Sequence, residues 1–292
     1  MFEGFHAIRV DVEGVHVHAR VGGKGPPVLL LHGYPQTHVM WHAVAPALAE
    51  SHTVVVADLR GYGDSSKPAS ESDHSSYAKR AMAADMAGLM TTLGHEQFAL
   101  VGHDRGARVV HRLCLDHPDR VDRAAVLDIV PTRHVFANVD RALATVYDHW
   151  FFLAERSNLP EVLIGGAPEF YLRRKLDDWA GPHAKFAETA MAEYIRCFSD
   201  PETIRASCED YRAAASIDLE HDDADAGRRI ACPLLVLWGS HGFVGTAYNV
   251  LDVWRAYADE LEGHPIDCGH FLAEEAPAHT IAALRAFLAK MA

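Results

Sequence analysis

The sequence predicts an α/β protein: a mostly parallel sheet covered by helices on both faces and interrupted by a helical insertion. Three observations predict it. Short, continuous apolar runs alternate with stretches of helical spacing, one long stretch carries no strand-like run, and a glycine-flanked turn follows a strand and opens a helix. Ile8–Val12 and Val15–Val21 alternate about Gly14 and predict a hairpin. Pro27–His32 and Thr53–Ala57 read as buried strands, with Met40–Glu50 helical between them through Trp41, Val44 and Leu48. The pattern repeats as strand Phe98–Gly102, helix Gly106–His117 and strand Ala124–Ile129. Leu234–Trp238, a helical stretch Leu251–Leu261 and a last helix Pro277–Leu288 complete it. Residues 132–219, rich in Trp, Tyr and Arg, predict a helical cap over the C-terminal edge of a core formed by 1–131 and 220–292. The acidic run Asp222-Asp223-Ala224-Asp225 reads as a solvated loop where the cap rejoins the sheet.

Composition narrows the function. Of 292 residues, 49% are apolar, ample for a core, and the formal net charge of −13 makes nucleic acid and anionic membranes poor partners. No apolar run approaches a membrane span, and Met1-Phe2-Glu3-Gly4-Phe5 lacks the basic and apolar parts of a secretory signal. Cys114, Cys197, Cys208, Cys232 and Cys268 are odd in number and never in C-x-x-C spacing, so reduced thiols and a cytoplasmic location are expected. Among 20 histidines, His16-x-His18 finds no third ligand at metal spacing, and no phosphate loop or dinucleotide fingerprint is present. No metal or cofactor is expected.

Gly102-His103-Asp104-Arg105-Gly106 has the G-x-nucleophile-x-G form of a nucleophile elbow, with Asp in the nucleophile's place. Flanking glycines permit a turn too tight for larger side chains and leave the central one exposed at a helix N-terminus. The residue type carries the chemistry. Serine attacking a saturated carbon would leave an ether that water cannot readily cleave; a carboxylate leaves an ester that it can. An elbow Asp therefore points to displacement at an sp³ carbon, with halide or an epoxide oxygen leaving. The second step needs a base and an oxyanion site. His270, in Gly269-His270-Phe271, supplies the base. Gly239-Ser240-His241-Gly242 offers no acid to orient it, but Asp128, a charged residue inside an apolar run, does. His32-Gly33-Tyr34-Pro35 follows a strand as oxyanion loops do, with backbone N–H donors expected from Tyr34 and Arg105. Whether the Tyr34–Pro35 peptide is cis is open at this point.

These residues resemble the fluoroacetate (haloacetate) dehalogenases of the α/β-hydrolase superfamily. The resemblance rests on HGYPQTHVMW (32–41), ADLRGYGDSSKP (57–68), GHDRGAR (102–108), LDIVPT (127–132), HW (149–150), CEDYRAAASIDLEHD (208–222) and GHFLAEE (269–275). It implies an α/β-hydrolase fold, Asp104 as nucleophile, His270 as base and Asp128 as its acid. It further implies Arg105 and Arg108 as carboxylate binders and His149, Trp150 and Tyr211 as halide donors. Elementary chemistry agrees. Two guanidiniums beside Asp104 suit an anionic substrate, whose carboxylate arginine grips in a planar fork. Fluoride leaves only with hydrogen bonds that strengthen as charge develops, and imidazole, indole and phenol each offer a donor. Trp179, Tyr171 and Tyr194 are expected to be cap core. The reading is a hydrolase converting fluoroacetate or another small 2-haloacid to the 2-hydroxy acid and halide, with a homodimer plausible by resemblance. Two alternatives stand beside it: an epoxide hydrolase using the same nucleophile, and a non-catalytic small-molecule-binding module.

Overall fold

The structure, a computed structural model, describes residues 1–290. Eight strands form one sheet: β1 (His6–Val12), β2 (Val15–Gly22), β3 (Pro27–Leu31), β4 (Thr53–Ala57), β5 (Phe98–His103), β6 (Val121–Leu127), β7 (Leu234–Gly239) and β8 (Leu261–Ile266). They lie in the order β1-β2-β4-β3-β5-β6-β7-β8. The hairpin pairs antiparallel, β2 joins β4 antiparallel, and every later pairing is parallel. The chain runs from β3 outward to β4 and returns to β5 on the other side of β3. That reversal opens a crevice beyond the carboxyl ends of β3 and β5, where sheets of this kind bind ligands. The strands flanking it are apolar throughout because helices cover both faces: Leu29, Leu30, Val55, Leu100 and Val126 are wholly inaccessible.

Two helical expectations need correction. Met40–Glu50 is not one helix but a 3₁₀ turn, His38–Trp41, and a short α-turn, Ala45–Leu48, divided where Pro46 enters at the start of the second. Leu251–Leu261 divides likewise, into the helix Val250–Trp254 and the beginning of β8 at Leu261. The helix Lys79–Thr92 has no counterpart in the sequence expectations, because its buried face is built of Ala and Met together with Lys79 and Asp85 and so lacks hydropathy contrast. Between β6 and β7 the chain is helical from Thr132 to Ala224. The last of these helices, Ile217–Ala224, crosses position 219 and contains most of the acidic run. The run is solvated only in part: Asp225 bonds the buried Arg112 at 2.5 Å, whereas Asp223 is exposed and pairs with Arg133 at the surface. Among the described residues no helix is long and apolar enough to cross a membrane, and all five cysteines are free.

The crossing of the helix Arg105–Asp116 over β3 is close enough to dictate its glycine. A Cβ at Gly106 would lie 2.5 Å from the His32 carbonyl oxygen, which accepts the Gly106 N–H at 2.9 Å. Gly106→Ala is expected to lower unfolding free energy by about 3 kcal/mol. A urea titration checks this, and an unchanged midpoint would contradict the close packing of helix on strand.

Candidate active site

Asp104 stands between β5 and the helix Arg105–Asp116 with φ +45° and ψ −114°, a conformation non-glycine residues rarely adopt. Neighbours impose it. Its N–H donates to the Leu127 carbonyl at 3.2 Å, and its own carbonyl accepts the Arg108 N–H at 3.2 Å. The carboxylate makes no capping bond to its helix. It turns instead toward the loop after β3, where Oδ2 accepts the Tyr34 N–H at 2.9 Å. Gly33 allows that approach, since a Cβ there would lie 2.6 Å from the Asp104 Cβ. The Tyr34–Pro35 peptide is cis. The Arg105 N–H, the other expected donor, makes no hydrogen bond to the carboxylate.

Asp128 follows β6 with φ +55°. Its Oδ1 accepts the Gly239 N–H from the end of β7 at 2.9 Å, and its Oδ2 lies 2.6 Å from His270 Nδ1. With Nδ1 committed, Nε2 is the nitrogen left to act on water. The His270 loop is held from two sides: its N–H donates to the Trp179 carbonyl at 3.0 Å, and its carbonyl faces His103 Nε2 at 2.8 Å. Trp179, expected to be cap core, is therefore a wall of the site. It lines the cavity and packs over both His149 and His270.

Electrostatics set the protonation states. Burial alone would raise the Asp104 carboxyl, but the charges of His270, Arg108 and Arg105 hold it below its ordinary value. Burial lowers the His270 imidazolium, and the hydrogen bond and charge of Asp128 more than reverse this, leaving it raised. His103 is driven to about 3 by burial and the adjacent His270, so it is neutral. His149 falls well below its ordinary value, chiefly through burial.

The elbow opens into a cavity of about 190 Å³ walled by Asp104, His149, Trp150, Trp179, Phe243 and His270. His149 and Tyr211 pack edge-to-face at 5.5 Å between ring centroids, and Trp150 lies 6.1 Å from Tyr211. The Tyr211 hydroxyl and His149 Nδ1 are buried without any protein partner. Both arginines are buried behind these rings, Arg105 Cζ 4.2 Å from the Tyr211 centroid and Arg108 Cζ 4.5 Å from that of Trp150. Neither is an open fork. Arg105 gives Nε and Nη2 to Asp210 at 2.9 and 2.7 Å, keeping Nη1 unpartnered. Arg108 gives Nη1 to the Val130 carbonyl and Thr132 Oγ1, keeping Nε unpartnered. Asp210 carries no expected role, although it directly precedes Tyr211 in the sequence.

One His/Asp group elsewhere has cation-holding spacing: His18, His38 and Asp58. Its atoms are already engaged. Asp58 Oδ1 bonds the backbone N–H and Nδ1 of His38 at 2.7 and 2.9 Å, while the Arg20 guanidinium donates to His38 Nε2 at 3.2 Å. A guanidinium on a would-be ligand nitrogen opposes a second cation there.

Residues 26–277 match the family model of the alpha/beta hydrolase fold. The chain belongs to that family. Within it, the chain falls with the fluoroacetate dehalogenases. A fluoroacetate dehalogenase from a Burkholderia species is 47% identical over 289 residues, covering 99% of this chain and 95% of that protein. A soluble epoxide hydrolase from Corynebacterium sp. (strain C12) is 34% identical over 96% of each chain. A crystal structure from Nostoc sp. PCC 7120, described as an α/β hydrolase, superposes with a TM-score of 0.98 at 55% identity, covering 99% of this chain and all of that one. This α/β hydrolase therefore has close kin in both halide and epoxide chemistry.

His270 takes a proton from water only when neutral. Because its pKa lies above the ordinary 6.5, water activation is expected to rise with pH through a midpoint above that value. Asp128→Asn removes the charge that raises it and is expected to move the midpoint down. The His270 imidazole titration by NMR checks both, and a midpoint below 6.5 in the wild-type protein would contradict the Asp128 pairing.

Proposed function

We propose that this hydrolase cleaves the carbon–halogen bond of a small 2-haloacid, fluoroacetate foremost, giving the 2-hydroxy acid and halide. The observation that carries the reading is the opposition of two features. One is an ionised elbow carboxylate that caps nothing; the other is the unpartnered His149 Nδ1 and Tyr211 hydroxyl beside the Trp150 indole, backed by two buried guanidiniums. Unsatisfied buried donors are costly in a resting protein. A leaving halide, with charge concentrated in a small volume, satisfies them as the carbon–halogen bond breaks.

In this mechanism the free N–H groups of Arg105 and Arg108 orient the substrate carboxylate and lower its α-carbon onto Asp104. One Asp104 oxygen displaces halide along the line of the breaking bond, forming an aspartyl ester and releasing the halide toward His149, Trp150 and Tyr211. Water then gives a proton to His270 Nε2 and attacks the ester's carbonyl carbon. The Tyr34 N–H, already on an Asp104 oxygen, is placed to hold the oxyanion as it forms. Collapse breaks the bond from the Asp104 carbonyl carbon to the ester oxygen, His270 hands its proton to the departing alkoxide to give the 2-hydroxy acid, and the Asp104 carboxyl sheds the water's remaining proton through the neutral His270 to solvent, restoring the carboxylate. Asp128 stabilises the imidazolium in between.

The epoxide reading has a specific observation too. Tyr147 lines the cavity, and the Tyr211 hydroxyl is unpartnered, so a phenol can protonate an alkoxide. It leaves the guanidinium pair without work.

Purified protein given fluoro-, chloro- and bromoacetate, beside a neutral epoxide, is expected to release halide and leave the epoxide intact. Diol formation without halide release would sink the proposal. Asp104→Asn is expected to reduce halide release on the order of 10⁴-fold. His270→Asn should still form the ester and accumulate it, visible by mass spectrometry as one carboxymethyl group on position 104. Tyr211→Phe removes one halide donor and should slow fluoride release by roughly 10²-fold. The effect on bromide release should be much smaller, because bromide needs the donor less. Equal effects on both halides would place Tyr211 outside the leaving-group site.

A further inference from the structure

Asp210 is wholly buried, projects from the cap helix Pro201–Ala214, and takes no part in the chemistry above. Its carboxylate nevertheless collects bonds from three core side chains. Arg105 donates Nε at 2.9 Å and Nη2 at 2.7 Å, Tyr62 donates its hydroxyl at 2.7 Å, and Lys79 Nζ pairs with Oδ1. Arg105 Nη2 also donates to the Asp210 carbonyl at 3.0 Å. One edge of the guanidinium is thus fully occupied, and the remaining nitrogen, Nη1, is buried with no partner. The next residue on the same helix turn is Tyr211, whose ring lies under that guanidinium and whose hydroxyl is also unpartnered.

We propose that Asp210 is a positioning residue. By binding the Nε/Nη2 edge, it presents Nη1 alone to the substrate carboxylate. Through Tyr211 beside it, it ties that presentation to the leaving-group site. The inference rests on the reading that Arg105 binds the substrate's carboxylate. An arginine side chain has many rotamers and loses much conformational freedom when held; a bidentate carboxylate selects one of them. Holding the cap to the core does not require Arg105, because Lys79 and Tyr62 already reach Asp210 from the core. Lys79 does not replace Asp210 either, since it carries the same charge as Arg105 and repels it.

Acetate, a substrate carboxylate without a leaving group, is the probe, and tryptophan fluorescence reads its binding without turnover. Asp210→Asn is expected to weaken acetate about tenfold or more. The KM for chloroacetate should rise with it while kcat falls less, and Asp210→Glu should recover part of the loss. In an Arg105→Met background, the Asn substitution should cost no further acetate affinity, whereas a purely structural role would cost the same in both backgrounds. Equal losses in the two backgrounds, or unchanged acetate affinity in Asp210→Asn with wild-type thermal stability, overturn the inference. If the Asn variant does not fold, Tyr62→Phe, which removes one of the two hydrogen bonds that fix Asp210 Oδ2, should weaken acetate about threefold; unchanged affinity there overturns it. Absence of halide release from the wild-type protein would refute the dehalogenase reading, and the acetate titrations still decide this one. Wild-type protein that does not bind acetate overturns it outright.

Discussion

The proposed mechanism requires Asp104 to stay ionised while only 8% exposed, and much of the surrounding architecture answers that requirement. A carboxylate withdrawn from water favours its neutral form, and a neutral acid is no nucleophile. Compensation comes from several directions at once. The Tyr34 N–H reaches it from the loop after β3, His270 faces it from the loop after β8, and Arg105 and Arg108 stand behind it on the elbow helix. Three separate segments of the core contribute, so only the assembled sheet supplies the whole set. The strained backbone at Asp104 belongs to the same requirement. In a relaxed conformation the carboxylate would be free to cap its own helix, and here it caps nothing.

The cap is bound into that arrangement rather than laid over it. Asp210 crosses to Arg105, Tyr62 and Lys79, the Trp179 carbonyl holds the His270 N–H, and Asp225 reaches Arg112 on the elbow helix. Buried ion pairs add little net stability, because desolvation consumes most of their attraction. What they supply here is registration. A cap docked a few ångströms away would take Asp210 from both Arg105 and Lys79 and leave them as neighbouring buried cations. The docked arrangement is thus specified by charge more sharply than apolar contact alone would specify it.

Much of this was legible in the sequence, and the gaps have physical causes. β4 and the helix Pro277–Leu288 fall at their expected limits, because buried strands and amphipathic helices write their burial into hydropathy. Where burial is achieved with short or charged side chains, the pattern fails. Lys79–Thr92 buries Ala, Met, Lys79 and Asp85, and the acidic run Asp222–Asp225 looks solvated until Arg112 is seen beneath it. The elbow was readable because its glycines and its nucleophile are adjacent. Asp210 was not, because its meaning lies in Arg105, over a hundred residues away. Trp179 was passed over for a related reason: as a residue type it resembles the cap's packing aromatics, and only the path of its backbone beside His270 distinguishes it.

The relation between the two arginines and the nucleophile constrains what kind of molecule the site can hold before reaction. Arg105 has its own acid in Asp210, whereas Arg108 is bonded only to a carbonyl and a hydroxyl, and burial together with the nearby Arg105 lowers its affinity for a proton. Asp104 is the acid whose charge acts most on Arg108, although the two form no ion pair. On the proposed reading, a bound substrate carboxylate shares that guanidinium's field with Asp104. That competition suits the chemistry. When the substrate carboxylate draws on Arg108, Asp104 loses part of the field that stabilises its charge and becomes a better donor of its electron pair. A neutral substrate draws on neither arginine and leaves the nucleophile fully stabilised. On the proposed mechanism, the anionic group of the substrate does more than orient: its arrival raises the reactivity of the carboxylate that attacks it.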